Sequence, residues 1–263
     1  MADRIIFSAW ALSALAETLL LARLTLLGLV RRYRWFAAWL AIDLVHSLVV
    51  WLLTRQPEQY KIEYPIGQTL VFLAQVMAIR EIFRLHLSHY HGIRSAGTKI
   101  LAILALGAIG ISLLFLTITG DFALSSFFAG LLSAQQVATA AITLFLLTSV
   151  AFFKLNSVRT RKNILIIERV AAIYFGSQTV AYLAVLLARN KPNSTGNEIG
   201  ALVWTVLSTV CFGLWTVLIS RAGEYIESGP TPTDRDLEKL DRLNAEAARF
   251  VESFRWSPQR GLH

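Results

Sequence analysis

Between Trp35 and Thr54 the chain runs for twenty residues with two ionisable side chains, Asp43 and His46, and a basic cluster, Arg31, Arg32 and Arg34, stands immediately before it. A hydrocarbon core of about 30 Å takes about 20 helical residues to cross. Inside lipid the backbone must satisfy its own hydrogen bonds, which leaves helices or a closed barrel. The run shows no alternation of period two, so it reads as a membrane helix.

Six further apolar runs repeat the pattern. The expected spans are 5–30, 35–54, 66–83, 100–119, 125–153, 164–188 and 199–220. The fold class is therefore an all-α bundle of seven transmembrane helices, forming a domain over 1–228 in a lipid bilayer. Charged residues make up only 16% of the 263, against about a quarter in a soluble domain. An Ala-x-Ala pattern at Ala14 and Ala16 is not read as a signal cleavage site, because the apolar run continues past it and the basic cluster follows the run.

Net charge is +8, and its distribution argues against a nucleic-acid surface. The bases sit in short loops. Arg31, Arg32, Arg34, Arg84, Arg94, Lys99, Lys154, Arg159, Arg161, Lys162 and Arg221 fall on one side; Arg4, Arg55, Lys61, Arg189 and Lys191 fall on the other. Eleven against five places the N-terminus outside and the C-terminus in the cytoplasm. Arg23, near the inner end of the first span, is expected to snorkel.

Residues 229–263 form a tail that opens with Gly229, Pro230 and Pro232. Thr233 and Asp236 make a capping pattern, and Leu237, Leu240, Ala247 and Val251 recur at heptad-like spacing. The expectation is an amphipathic helix over 234–255, supported by a Glu238–Arg242 pair and docked on its own bundle, on headgroups or on a cytoplasmic protein partner.

A polar side chain near the middle of a span is costly and turns toward the bundle interior. Glu17, Asp43, His46, Gln75, Gln136 and Gln178 all lie there and are the candidate ligand or proton site. Asp43 and His46, three residues apart, share a helix face and suggest a relay. Gln68 and Gln75 share a face, as do Tyr174, Gln178 and Tyr182, and Ser133, Gln136, Thr139 and Thr143 form a stripe. Thr205, Thr209, Gly213 and Thr216 suit close helix contact. Arg80 and Glu81 on one helix end, with Glu168 and Arg169 on another, are expected to pair across the inner face.

Other chemistries find no support. The lone Cys211 builds no disulfide or zinc site and reads as core. His86, His89 and His91 read as a solvated loop, and no metal or cofactor is expected. The seventh span has no lysine for a Schiff base, no nucleophile motif occurs, and no proline interrupts an expected span as in broken-helix carriers. A glycosylation sequon at Asn193, Ser194 and Thr195 carries weight only in a eukaryotic secretory pathway.

The aromatic-basic stretch Tyr33–Phe36 and the run Glu81, Ile82, Phe83, Arg84 resemble a group of short bacterial seven-helix membrane proteins of unknown function. The resemblance implies a multi-pass protein of a bacterial inner membrane and transfers no activity. The expected function is a sensor, signalling or accessory membrane component with an intramembrane polar pocket and no enzyme chemistry; the alternative is a small solute or proton-coupled transporter.

Overall fold

The computed structural model describes residues 2–53, 56–88, 90–100, 102–103, 124–156, 158–188, 195–228 and 233–253. Its helices are α1 (Ala2–Leu26), α2 (Arg34–Leu53), α3 (Pro57–His86), α4 (residues 91–100), α5 (Leu124–Leu155), α6 (Lys162–Ala188), α7 (Thr195–Leu218) and α8 (Asp234–Ser253). Five of them are long and apolar enough to cross a membrane, and α7 contributes a shorter apolar stretch, Leu202–Leu218. Most of the span expected over 100–119, and Asn193 and Ser194 of the sequon, lie outside the described residues.

Several boundaries differ from expectation, among them the start of α7 at Thr195 instead of Ile199. α1 ends at Leu26 instead of Val30, because Gly28 takes φ +70° and the Leu29 N–H reaches back to the Leu24 carbonyl. Only glycine adopts that left-handed turn without steric cost. The loop expected over 55–65 is largely helical, since α3 begins at Pro57, where a missing N–H costs nothing. Pro65 therefore lies inside a helix after all, and its carbonyl accepts from Thr69 Oγ1 at 2.7 Å. Residues 91–100, expected as loop, are helical as well.

α2 packs along α3, α6 along α7, and α1 along both α7 and α2, while α5 lies against α6 and α3. α1 and α2 run antiparallel, whereas α1 and α7 run parallel. Trp10 near the start of α1 stacks on Trp51 near the end of α2, and Arg23 near the end of α1 donates two hydrogen bonds, 2.9 and 3.0 Å, to the Ile219 carbonyl just after α7. Arg23 thus caps the end of α7.

The bundle is apolar outside. Leu12, Leu19, Val45, Leu70, Leu144 and Val210 are exposed on five different helices. A belt of this kind on one molecule calls for a non-aqueous surrounding. At the basic end the interior is packed by Phe36, Trp39, Phe175 and Trp215, all essentially buried, with Phe36–Trp215 centroids at 5.2 Å and Trp39–Trp215 at 5.8 Å edge to face. Cys211 is buried within this core, as expected.

Beneath the core, Glu224 collects the chain at the basic end. Its carboxylate accepts from the Tyr33 hydroxyl, from Asn163 Nδ2 at 2.8 Å, from Arg32 Nε at 2.8 Å and from Arg161 Nη1 at 3.4 Å. A two-residue antiparallel ladder, Thr160–Arg161 with Glu227–Ser228, holds the α5–α6 loop against the stretch after α7. Burial and the Glu224 carboxylate push the Tyr33 phenol above its ordinary range, so it remains a donor at neutral pH.

α8 lies at the same end, with Leu240 fully buried among Phe83, Leu87, Phe153 and Val158. Asn244 Oδ1 accepts from the backbone N–H groups of Gly92 and Ile93 at 2.7 and 3.3 Å, and so caps α4 from another helix. The Thr233–Asp236 capping box forms as read from sequence. The ion pair on α8 is Arg242 with Glu246 at 3.0 Å, one turn beyond the expected Glu238–Arg242.

Candidate functional site

A cavity of about 480 Å³ opens among α1, α2, α3, α6 and α7 on the side of the aromatic core away from Glu224. Each helix lines it with one stripe at the 3.6-residue period: Trp10, Ala14 and Glu17 from α1; Asp43, His46 and Val50 from α2; Tyr64, Gln68, Val71 and Gln75 from α3; Tyr174, Gln178 and Tyr182 from α6; Gly200, Trp204 and Ser208 from α7. The structure brings Glu17, Asp43, His46, Gln75, Gln136 and Gln178 around this one space. Trp10, Val50, Tyr64, Tyr182 and Gly200 sit toward the helix ends on the N-terminal side, so the cavity extends from mid-bundle toward that side.

The carboxylates come from neighbouring helices. Glu17 is 3% exposed, lies within electrostatic reach of Asp43, and its Oε1 has no hydrogen-bond partner among the described residues. Gln178 donates its Nε2 to the Tyr182 hydroxyl at 2.9 Å, while its Oε1 is buried and also without a partner among them. Tyr174 lies near both acids and meets Trp204 edge to face at 4.8 Å.

The Asp43–His46 relay does not form as expected. His46 Nδ1 lies 3.1 Å from Glu63 Oε1, and Glu63 stands on the part of α3 read from sequence as loop. The close approach depends on Gly67, one turn beyond Glu63, because a Cβ there would come within 2.1 Å of His46 Nδ1. Gly67→Ala is expected to lose about 1–3 kcal/mol through overpacking, read as a lower melting temperature in detergent. Gly213→Ala is the control, since a Cβ at Gly213 meets nothing within 4 Å. That open space also corrects the reading of Gly213 as a close-contact position; alanine there should match or slightly exceed wild type.

Gln136 lines the cavity but is largely exposed, whereas its neighbour Gln135 is buried and donates to Thr69 Oγ1 at 3.0 Å. Gln135 does not belong to the stripe of Ser133, Gln136, Thr139 and Thr143 read from sequence, and only the rotation of α5 selects it. On the same helix Thr143 Oγ1 meets Thr179 Oγ1 at 3.0 Å and ties α5 to α6.

The inner-face ion pairs rearrange. Glu81 accepts from the backbone N–H groups of Trp35 and Phe36 at 2.9 and 3.2 Å, capping α2, with Arg34 Nε at 3.9 Å. Glu168 pairs with His86, at 3.0 Å from Nδ1, and Arg80 and Arg169 are exposed. His86 is therefore no solvated loop residue: its side chain is fully buried and stacked on Phe153 with centroids 3.6 Å apart. His91 is helical and His89 lies outside the described residues. α3 and α6 are tied at that end, but by His86 where Arg80 and Arg169 were expected to serve.

No group of three or more potential metal-binding side chains occurs among the described residues. The fold and site define an all-helical chain with several membrane-length helices around a polar, acid-lined cavity. Comparison with protein-family models, curated proteins and solved structures gives no match, so the function has to be argued from this geometry.

Proposed function

We propose that the protein is a multi-pass membrane sensor or accessory signalling component of a bacterial inner membrane. In this reading it has seven spans, an outside N-terminus and a cytoplasmic tail, and its cavity takes a small ligand from the outer side. The observation that carries the reading is a polar cavity confined to one half of a bundle whose other half is filled by Phe36, Trp39, Phe175 and Trp215, with α8 docked at the filled end. A ligand that shifts the helices would change the seat of Leu240 and so alter how α8 meets a cytoplasmic partner. Paired acids at Glu17 and Asp43 also suit a proton-coupled transporter, which is the second reading.

Reporter fusions at the two termini test the layout, with opposite compartments expected. Reconstituted vesicles separate the two functions. A sensor gives no solute-driven proton flux, and hydrogen exchange in α8 changes when a cavity ligand is added. Proton flux abolished by Asp43→Asn would replace the sensor reading with the transporter.

A further inference from the structure

Every buried cavity-wall atom left without a partner among the described residues is a hydrogen-bond acceptor: Glu17 Oε1 and Gln178 Oε1. Glu63 Oε2, on the partner of His46, is a third acceptor just outside the wall, while the donors left without a partner nearby, Trp39 Nε1 and Trp215 Nε1, belong to the aromatic core behind Tyr174. A site with surplus acceptors is completed by a ligand that brings donors. The charge points the same way. Two carboxylates face the space, and no lysine or arginine among the described residues lines it. The remaining walls are rich in aromatic rings, and the Tyr174–Trp204 pair stands next to the acids. Ring faces attract cations, most strongly where water is excluded.

We propose that the cavity binds a small organic ammonium ion, whose N–H groups donate to Glu17 and Gln178 while Asp43 balances its charge and Tyr174 and Trp204 enclose its apolar part. This deepens the sensor reading and rests on its ligand-binding cavity. An amine fits better than a bare metal ion, because a volume of about 480 Å³ holds a molecule of many atoms and the described residues provide no metal-binding cluster.

The test uses the full chain in lipid nanodiscs, with binding followed by calorimetry and thermal shift. The probes share one skeleton at three charges: phenethylamine, phenylacetamide and phenylacetate. Phenethylamine is expected to bind and the other two to bind at least tenfold more weakly, on the order of one lost charged hydrogen bond. Glu17→Gln should weaken the amine by about thirtyfold or more, the scale for removing one partner of a buried charge pair. Trp204→Leu should weaken it by roughly threefold to thirtyfold. Asp43→Asn repeats the charge test if Glu17→Gln fails to fold.

The proposal falls if phenylacetamide binds as well as the amine, if phenylacetate is preferred, or if the folded Glu17→Gln and Asp43→Asn proteins bind the amine unchanged. It falls too if only sodium or protons stabilise the protein. Binding by phenylacetamide alone removes the charge assignment and leaves the cavity reading standing. Absence of binding by all three probes to folded protein, with no change in α8, removes both.

Discussion

Glu224→Ala should lower the melting temperature of the protein by roughly 5–10 °C, from a loss of about 2–4 kcal/mol. The carboxylate is 6% exposed and is shared by the Tyr33 hydroxyl, Asn163, Arg32 and Arg161. Arg32 and Arg161 are 35% and 40% exposed, so they return to solvent or headgroups at little cost. Tyr33 and Asn163 cannot, because both are 0% exposed. The Tyr33 hydroxyl would be left buried without its acceptor, and Asn163 Nδ2, which keeps the Ser220 carbonyl at 2.7 Å, would lose one of its two; that desolvation penalty dominates the loss. Glu224→Gln keeps Oε1 as an acceptor for both and gives up the charge and the Oε2 acceptor of the two exposed arginines, so it should cost about half as much. Melting curves in one detergent, with far-ultraviolet circular dichroism, check the series. An alanine variant within about 1 kcal/mol of wild type would show that the contacts of Glu224 are interchangeable with solvent.

The second large effect is expected at Leu240. This side chain is the single fully buried residue of α8 among those described, seated on Phe83, Leu87, Phe153 and Val158. Leu→Ala in a packed core costs about 2–5 kcal/mol, and an aspartate at the same place adds the burial of a carboxylate. The other contacts of α8 are peripheral to this seat: Asn244 on the N-terminus of α4, Gly92 of α4 against the Asn244–Ala248 backbone, and the Lys99 ammonium on the Val251 carbonyl at 3.0 Å. Leu240→Asp should therefore release α8 while the bundle stays folded. A free helix of twenty residues is marginal in water, so its amides should exchange close to the rate of an unstructured peptide. Retained protection in α8 would mean that its polar contacts are enough to dock it. Leu237, at 42% exposed, provides the comparison: Leu237→Asp should leave exchange unchanged.

How far the cavity could be read in advance is clearest at α2 and α3. Asp43 and His46 had to turn inward, because a carboxylate facing acyl chains is too costly, and both do line the cavity. Their partners were another matter. Asp43 meets Glu17 from α1 electrostatically, and His46 meets Glu63, a residue of a stretch that read as polar loop. Tyr60 and Tyr64 at i,i+4 and Glu63 four before Gly67 were the available sign that the helix starts earlier. Glu224, just past the last expected span, gave no such sign, although by contact it is part of the bundle.

Apolar length, loop charge and helical periodicity are local properties, and by themselves they determined that this is an all-helical chain with membrane-length segments, where the described ones other than α3 lie to within a few residues, and that Glu17, Asp43, His46, Gln75 and Gln178 face one cavity. Pairing is not local. Which atom of Glu81 caps α2, why Glu168 takes His86 instead of arginine, and how Asn244 comes to cap α4 depend on helix rotation and on distances between helices. Those are settled only when the whole bundle packs, because each buried polar group takes the partner that the summed packing leaves within about 3 Å of it.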